Sequence, residues 1–199
     1  MPHFVLYAIE RQTLEAFWIS YIAWCLLEVW IFSRDRRAAT GKGKDYGSVF
    51  VNIFLIAAGN TVAFMAPFAW PWARIALPPI PVFQTAIVMI WIGIALRLWA
   101  VLTLGKLFRV SVRILDDHKL VTSGPYRVLR HPSYTGDLLT VSGIGLAMGN
   151  WLSLAGAFGC IFLAYGLRIL IEETALCARF GEEFKAYRKR TWAFIPPLW

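Results

Sequence analysis

Side chains able to bind or react with a ligand are concentrated in residues 118–136, HKLVTSGPYRVLRHPSYTG. This polar segment holds two of the three histidines, with two tyrosines and two arginines, in a chain otherwise dominated by apolar runs. Gly124-Pro125 predicts a turn, because glycine permits a positive φ and proline restricts its own φ. Pro132 disfavours helical geometry at His131 and predicts that a helix begins at Pro132. A polar loop that leads into a helix N-terminus can hold a charged ligand.

A second candidate is the pair Arg168 and Glu172, which share one face of a predicted helix because they are four residues apart. A guanidinium can bind a carboxylate or a phosphate through two parallel hydrogen bonds. The alternative is an ordinary ion pair at the membrane interface, which would contribute only about 0.3–0.5 kcal/mol. Together with the polar segment, the pair indicates a site for an anionic group.

Glu28, Arg97 and Asp137 lie within or beside predicted apolar helices, close in depth to Arg168, Glu172 and Glu173. Charges inside a bilayer are costly and usually paired, so we interpret these residues as a polar layer around a shared site. Each could instead extend its charged end to the interface. Glu173 is predicted to be a solvated helix charge.

The composition indicates a membrane protein. The 199 residues are 58% hydrophobic, with a mean hydropathy of +0.57, which is too apolar for a soluble domain of this size. The formal charge of +8 could indicate nucleic-acid binding, but the basic residues occupy short segments between apolar runs, so no nucleic-acid partner is expected. The histidines and the three cysteines lack the spacing of metal ligands, so no metal site is predicted and the cysteines are interpreted as reduced packing residues.

Five apolar segments are predicted to be membrane helices, and the last two form a hairpin around a turn at Gly149-Asn150. Residues 1–104 would carry three helices and the basic loop 34–48. Residues 105–199 would form the catalytic region, with a cofactor loop at 105–134, a helical hairpin at 132–180 and a C-terminal tail. The five segments are 14–32, 49–70, 82–104, 132–149 and 151–180.

Basic residues predict the orientation of these helices. The segments 34–48, 105–134 and 168–199 contain 17 of the 20 Lys and Arg. Since short basic segments stay in the cytoplasm, we expect the N-terminus outside and the C-terminus inside. The fold class is therefore an all-α integral membrane protein with five transmembrane helices and a cofactor pocket at its cytoplasmic face.

The polar segment, followed by a helical hairpin and then R-x-x-x-E-E and F-G-E-E-F-x-x-Y, resembles the isoprenylcysteine carboxyl methyltransferase family. The resemblance extends from residue 105 to about residue 189. It implies a membrane enzyme that methylates the C-terminal carboxylate of a prenylated cysteine, which would enter from the bilayer. The methyl donor would be S-adenosylmethionine, and the product would be S-adenosylhomocysteine.

The resemblance also implies roles for individual residues. Arg168 matches the arginine associated with the substrate carboxylate, and Glu172 matches the glutamate that completes the site, by holding Arg168 or by meeting the amino group of the cofactor. The residues that match cofactor-binding positions are His118, Lys119, Leu120, Val121, Gly124, Tyr126, His131, Pro132, Ser133 and Tyr134.

The chemistry of carboxyl methylation fits a membrane site. A carboxylate is already ionised at neutral pH, so no general base is needed, and the protein must orient the two reactants and exclude water. A cationic donor and an anionic acceptor lose charge as they react, and an apolar environment favours that change.

Three other functions remain open from the sequence. The protein could methylate another lipid-like acceptor, or it could be an NADPH-dependent membrane reductase of related fold. It could also be a transport or scaffold protein without enzymatic activity. Transport is disfavoured, because transporters place polar groups near the middle of the membrane, whereas the polar layer here is near one surface.

Overall fold

The computed structural model describes residues 11–37, 46–108 and 120–197, and in these parts the protein is built from helices. Two isolated β-bridges, Arg74 with Asn150 and Leu129 with Trp192, are the extended pairings within the described residues. The α-helices are α1 (Arg11–Arg37), α2 (Tyr46–Ala69), α3 (Pro79–Leu104), α4 (Pro132–Ala147), α5 (Trp151–Phe180) and α6 (Glu182–Arg188). The all-α prediction is confirmed for this part of the chain.

Four helices, α1, α2, α3 and α5, are long and apolar enough to cross a membrane. The predicted helix at 132–149 is shorter than expected: α4 ends at Ala147 and has 16 residues, because the backbone leaves the helix before Gly149, whose φ is +62°. The prediction of a fifth membrane span therefore stays a prediction. The basic loop 34–48 lies largely outside the described residues.

Local sequence signals account for where the two helices that follow the polar loop begin. His131 precedes α4 in a non-helical conformation, with φ −125°, and Pro132 is the first helical residue. Asn150 caps α5, because its Oδ1 accepts hydrogen bonds from the backbone N–H groups of Leu152 and Ser153. A three-residue connection between α4 and α5 makes them neighbours, as the hairpin prediction required.

The centre of the fold is α4, which packs against α3 on one side and α5 on the other, while α2 packs against α5. Glycines bring α3 and α4 together, since a Cβ atom at Gly136 would lie 2.6 Å from the carbonyl oxygen of Gly93 and 2.7 Å from the backbone nitrogen of Arg97. Most of α4 is buried between its neighbours, and this places its N-terminal residues against the C-terminal half of α5.

Candidate functional site

The polar loop approaches α4 through a tight turn. Gly124 has a φ of +56°, which favours glycine, and opens a 3₁₀ turn at Gly124–Arg127. The turn is joined to α6, because the Tyr187 hydroxyl donates a 2.7 Å hydrogen bond to the carbonyl oxygen of Tyr126. Tyr126 itself is buried, whereas Leu120 and Val121 lead into the turn and are partly exposed. His118 and Lys119, both predicted to bind cofactor, lie outside the described residues.

The residues after α6 run along the polar loop and hold it in place. The backbone N–H of Arg130 donates to the carbonyl oxygen of Trp192 at 2.7 Å, and that of His131 donates to Ala193 at 3.0 Å. One turn into α4, the hydroxyl of Thr135 donates to the carbonyl oxygen of Phe194 at 2.6 Å. The C-terminal tail therefore fixes the backbone at the start of α4.

His131 lies between two carboxylates of adjacent residues of α5. Its Nδ1 is 3.5 Å from Oε2 of Glu172, and its Nε2 is 3.5 Å from Oε1 of Glu173. Burial lowers the pKa of His131, but the two carboxylates raise it by more, so the pKa lies above its ordinary value of 6.5. The Nε2 atom is buried and makes no hydrogen bond among the described residues, although it lies within ion-pair distance of the Glu173 carboxylate.

Tyr134 joins Arg168 to Glu172. The Tyr134 hydroxyl accepts a hydrogen bond from Nε of Arg168 at 2.7 Å and donates one to Oε1 of Glu172 at 2.5 Å. Nε of Arg168 also lies 3.0 Å from that same carboxylate oxygen. Arg168 is 3% exposed, so this cation is held in a buried environment with an anion and a hydroxyl beside it. The predicted pairing of Arg168 and Glu172 is present, with Tyr134 as a third member.

The ring of Tyr134 is packed between two other rings. His131 stacks on it with 5.6 Å between ring centroids, and Tyr165 stacks on it with 4.3 Å between centroids and 10° between planes. Tyr165, Arg168 and Glu172 are spaced at i, i+3 and i+7, so α5 presents all three on one face. Helical periodicity therefore explains how α5 faces the N-terminal turn of α4.

A second polar cluster lies behind Ser133. Arg97 forms a two-pronged ion pair with Glu28, through its Nε and Nη2, and its Nη1 donates at 3.1 Å to both the carbonyl oxygen and the hydroxyl of Ser133. Asp137 is the other anion here, with Oδ1 4.0 Å from Nε of Arg97. The predicted association of Glu28, Arg97 and Asp137 is thus present as a cluster that supports the start of α4.

The contacts of Glu173 and Arg130 were not predicted from the sequence. Glu173, predicted to be solvated, is 8% exposed, and its Oε1 accepts a 2.6 Å hydrogen bond from Nε of Arg130, so that prediction is wrong. Arg130 also donates to the backbone carbonyl oxygens of Arg188 and Thr191. The position of Arg130 directly before the His-Pro pair was the available signal, but its partners are more than 40 residues away in the chain.

Comparisons with known proteins bear on this site. A model described as "Isoprenylcysteine carboxyl methyltransferase (ICMT) family" matches residues 86–178, which include α4, the polar loop and most of α5. A probable protein-S-isoprenylcysteine O-methyltransferase of Oryza sativa subsp. indica is 35% identical over 117 residues, which are 58% of this chain and 61% of that protein. Protein-S-isoprenylcysteine O-methyltransferase of Schizosaccharomyces pombe is 34% identical over 118 residues, which are 58% of this chain and 50% of that protein. The chain thus spans about half to three-fifths of the length of these relatives.

The fold has also been seen in a solved structure. The structure of a eukaryotic intramembrane Ras methyltransferase, ICMT, aligns with 98% of this chain and 72% of its own chain, with a TM-score of 0.67. The two sequences are 20% identical, so this similarity concerns the fold. The four helices that are long and apolar enough to cross a membrane support the prediction of an integral membrane protein.

Proposed function

We propose that this chain transfers a methyl group from S-adenosylmethionine to the C-terminal carboxylate of a prenylated cysteine, because residues 86–178 match the isoprenylcysteine carboxyl methyltransferase family. The observation that carries the proposal is the hydrogen-bonded cluster of Tyr134, Glu172 and the buried Arg168 at the N-terminus of α4. The names of the relatives from rice and fission yeast support the same activity.

The residues present fit the proposed cofactor, which carries an ammonium group, a carboxylate and a sulfonium. Glu172 offers an acceptor for a cation, and the buried Nε2 of His131 is a polar atom without a hydrogen-bond partner in the described part of the chain. The residues proposed to hold S-adenosylmethionine are His118, Lys119, Leu120, Val121, Gly124, Tyr126, His131, Pro132, Ser133 and Tyr134. When bound, the cofactor supplies the electrophilic methyl group.

Arg168 is proposed to orient the carboxylate of the substrate. Its guanidinium is pre-positioned by Tyr134 and Glu172 and does not have to be ordered when a ligand binds. Glu172 supports the site by holding Arg168 or by binding the amino group of the cofactor. No side chain needs to remove a proton, because the acceptor carboxylate is already ionised at neutral pH. The chain's own contribution is therefore orientation, charge complementarity and exclusion of water.

The same proposal includes an arrangement in the membrane. We infer five membrane helices with α4 as the fourth, the N-terminus outside, and the C-terminus and the cofactor pocket at the cytoplasmic face. The distribution of 17 of the 20 Lys and Arg supports this orientation. A site near the surface lets a lipid tail stay in the bilayer while its carboxylate reaches Arg168.

The test is methyl transfer to a farnesylated cysteine analogue by the purified protein. Arg168→Lys keeps the charge but loses the planar two-donor geometry. We expect its kcat/KM to fall roughly 10- to 100-fold, since a charge-assisted hydrogen bond contributes about 1.5–3 kcal/mol. Arg179→Lys is the matched control, because Arg179 lies on the same helix and is exposed. Its kcat/KM should stay within about twofold of wild type, as for most surface substitutions.

Two outcomes would contradict the proposal. Near-normal turnover of Arg168→Lys and Arg168→Leu, with normal yield of folded protein, would remove Arg168 from the site. A titration in which the protein binds NADPH and does not bind S-adenosylmethionine would favour the alternative function, an NADPH-dependent membrane reductase.

A further inference from the structure

Asp137 is a buried carboxylate that the reaction as proposed does not use. It is 0% exposed and lies on α4, three residues beyond Tyr134. Its Oδ1 accepts a 2.8 Å hydrogen bond from Nε1 of Trp24, and its Oδ2 accepts a 2.5 Å hydrogen bond from the hydroxyl of Tyr165. A buried anion is costly unless it is bonded, so the satisfaction of both oxygens indicates a defined structural task.

Tyr165 connects this carboxylate to the site. Its hydroxyl end is bonded to Asp137, and its ring stacks on Tyr134 with 4.3 Å between centroids. A stacked ring can slide in its own plane, because the stacking energy varies little over small displacements, whereas a hydrogen bond at the hydroxyl limits that movement. The bond to Asp137 therefore fixes the surface on which Tyr134 rests, and Tyr134 in turn holds Arg168 and Glu172.

Asp137 is itself anchored from a helix outside the family match, which begins at residue 86. Trp24, its other donor, lies on α1, four residues before Glu28, the partner of Arg97. The neighbouring α1 residues Ile22 and Leu26 are 53% and 64% exposed, so this face of the helix does not pack against the described residues. These two polar contacts, together with buried apolar residues such as Phe17, hold one face of α1 against the rest of the protein.

We propose that Asp137 is a positioning residue for methyl transfer, acting through Tyr165 and Tyr134 to hold Arg168 in place. This inference rests on the proposed function, because it assigns Asp137 a part in that reaction. Asp137 does not contact the reacting atoms and changes no covalent bond.

A double-mutant cycle on the full-length enzyme tests the connection. Tyr165→Phe removes the hydrogen bond to Asp137 and keeps the ring stack. We expect kcat to fall about 3- to 10-fold with KM for both reactants within about twofold, because misplacement of a catalytic group affects the reacting geometry more than binding. In a Tyr134→Phe background, Tyr165→Phe should lower kcat by less than about twofold, since residues that act in series are not additive.

The matched control is Ser153→Ala, which removes a comparable buried hydrogen bond, 2.7 Å from the Ser153 hydroxyl to the carbonyl oxygen of Ala63, near the other end of α5. It should lower the thermal midpoint without lowering kcat. Asp137→Asn, measured by S-adenosylhomocysteine affinity, folded yield and kcat, should lose rate and keep cofactor affinity.

The outcomes separate the two proposals. If the wild type transfers methyl groups, additive effects of Tyr165→Phe and Tyr134→Phe on kcat would overturn the positioning role alone. An equal loss of kcat in Ser153→Ala would do the same. A wild-type protein that neither binds S-adenosylhomocysteine nor transfers a methyl group would overturn the proposed function and this inference together.

Discussion

His131 connects the polar loop to α5 through charge, since its two ring nitrogens face the carboxylates of Glu172 and Glu173 at 3.5 Å. Arg130 holds Glu173 from the other side, and the stacked ring of Tyr134 covers one face of the imidazole. Without Arg130, the buried carboxylate of Glu173 would keep His131 and the more exposed Arg188, whose Nε lies 3.3 Å from Oε2 of Glu173. The charges of these neighbouring side chains are therefore interdependent.

The raised pKa of His131 predicts a pH dependence of stability. A group whose pKa is higher in the folded state stabilises the protein fully below its unfolded pKa, and this contribution is lost as pH rises through the folded pKa. The thermal midpoint of the wild type should therefore fall as pH rises above the ordinary histidine value of 6.5. Thermal melts in detergent between about pH 6 and pH 9 would measure the slope across the range where histidine titrates.

Two variants make this test specific. His131→Gln should flatten the slope, because glutamine does not titrate. Glu173→Gln should move the decline to lower pH, since one of the two carboxylates that raise the pKa of His131 is removed. An unchanged slope in His131→Gln would assign the pH dependence to another group.

At the scale of elements, the crossing of α3 and α4 determines where the site residues lie. Gly93 and Gly136 let the two backbones approach, and Arg97 reaches Ser133 across the same contact. In a membrane, where helices gain little from burying apolar side chains away from lipid, such small-residue contacts contribute much of the packing. The position of Arg97 and Ser133 therefore depends on residues with no side chain.

Gly136→Ala should force these helices apart. The added Cβ would lie 2.6 Å from the carbonyl oxygen of Gly93, which is backbone and cannot rotate away. We expect a loss of about 1–3 kcal/mol, as for other overpacked cores. Gly159→Ala on α5 is the control, since a Cβ there would have nothing within 4 Å. Thermal melts that rank the two variants equally would show that the close approach of α3 and α4 is not required.

At the scale of the whole molecule, the two ends of α5 lie in differently charged surroundings. Its N-terminal end is joined to the loop between α2 and α3, where Ile75 donates to the carbonyl oxygen of Gly149. Its C-terminal end continues into α6 and the basic residues Arg188, Lys189 and Arg190. A helix of 30 residues is about 45 Å long, which is more than the apolar thickness of a bilayer.

This separation predicts that Arg74 and Lys189 lie on opposite sides of the membrane. In a background without Cys25, Cys160 and Cys177, an impermeant thiol reagent applied to intact cells should label Arg74→Cys and not Lys189→Cys. Both positions are exposed, so permeabilised cells should show labelling of both. Labelling of Lys189→Cys alone would reverse the proposed orientation, and labelling of both in intact cells would refute the layout.

Several local features of this protein follow from short sequence patterns. Apolar runs of membrane length predicted an all-helical chain, Gly124-Pro125 predicted the turn, Pro132 predicted the start of α4, and Gly149-Asn150 predicted the connection to α5. The pairing of Arg168 with Glu172 also followed, because a helix places residues four apart on one face. These features depend on backbone stereochemistry and on neighbours within about one turn, so they can be derived without the fold.

The contacts between residues far apart in the sequence could not be predicted, because they depend on how the helices pack. Tyr134 bonds Arg168 from 34 residues away, Arg130 bonds Glu173 from 43, and Trp24 bonds Asp137 from 113. Such pairs depend on the rotation of each helix about its axis and on where helices cross. Here Gly93 and Gly136 set the crossing of α3 and α4, while the turn after Ala147 sets the position of α5 beside α4. The burial of Glu173 could not be derived for the same reason, since a charged residue near a helix end is solvated unless another element supplies its partner, which here is Arg130.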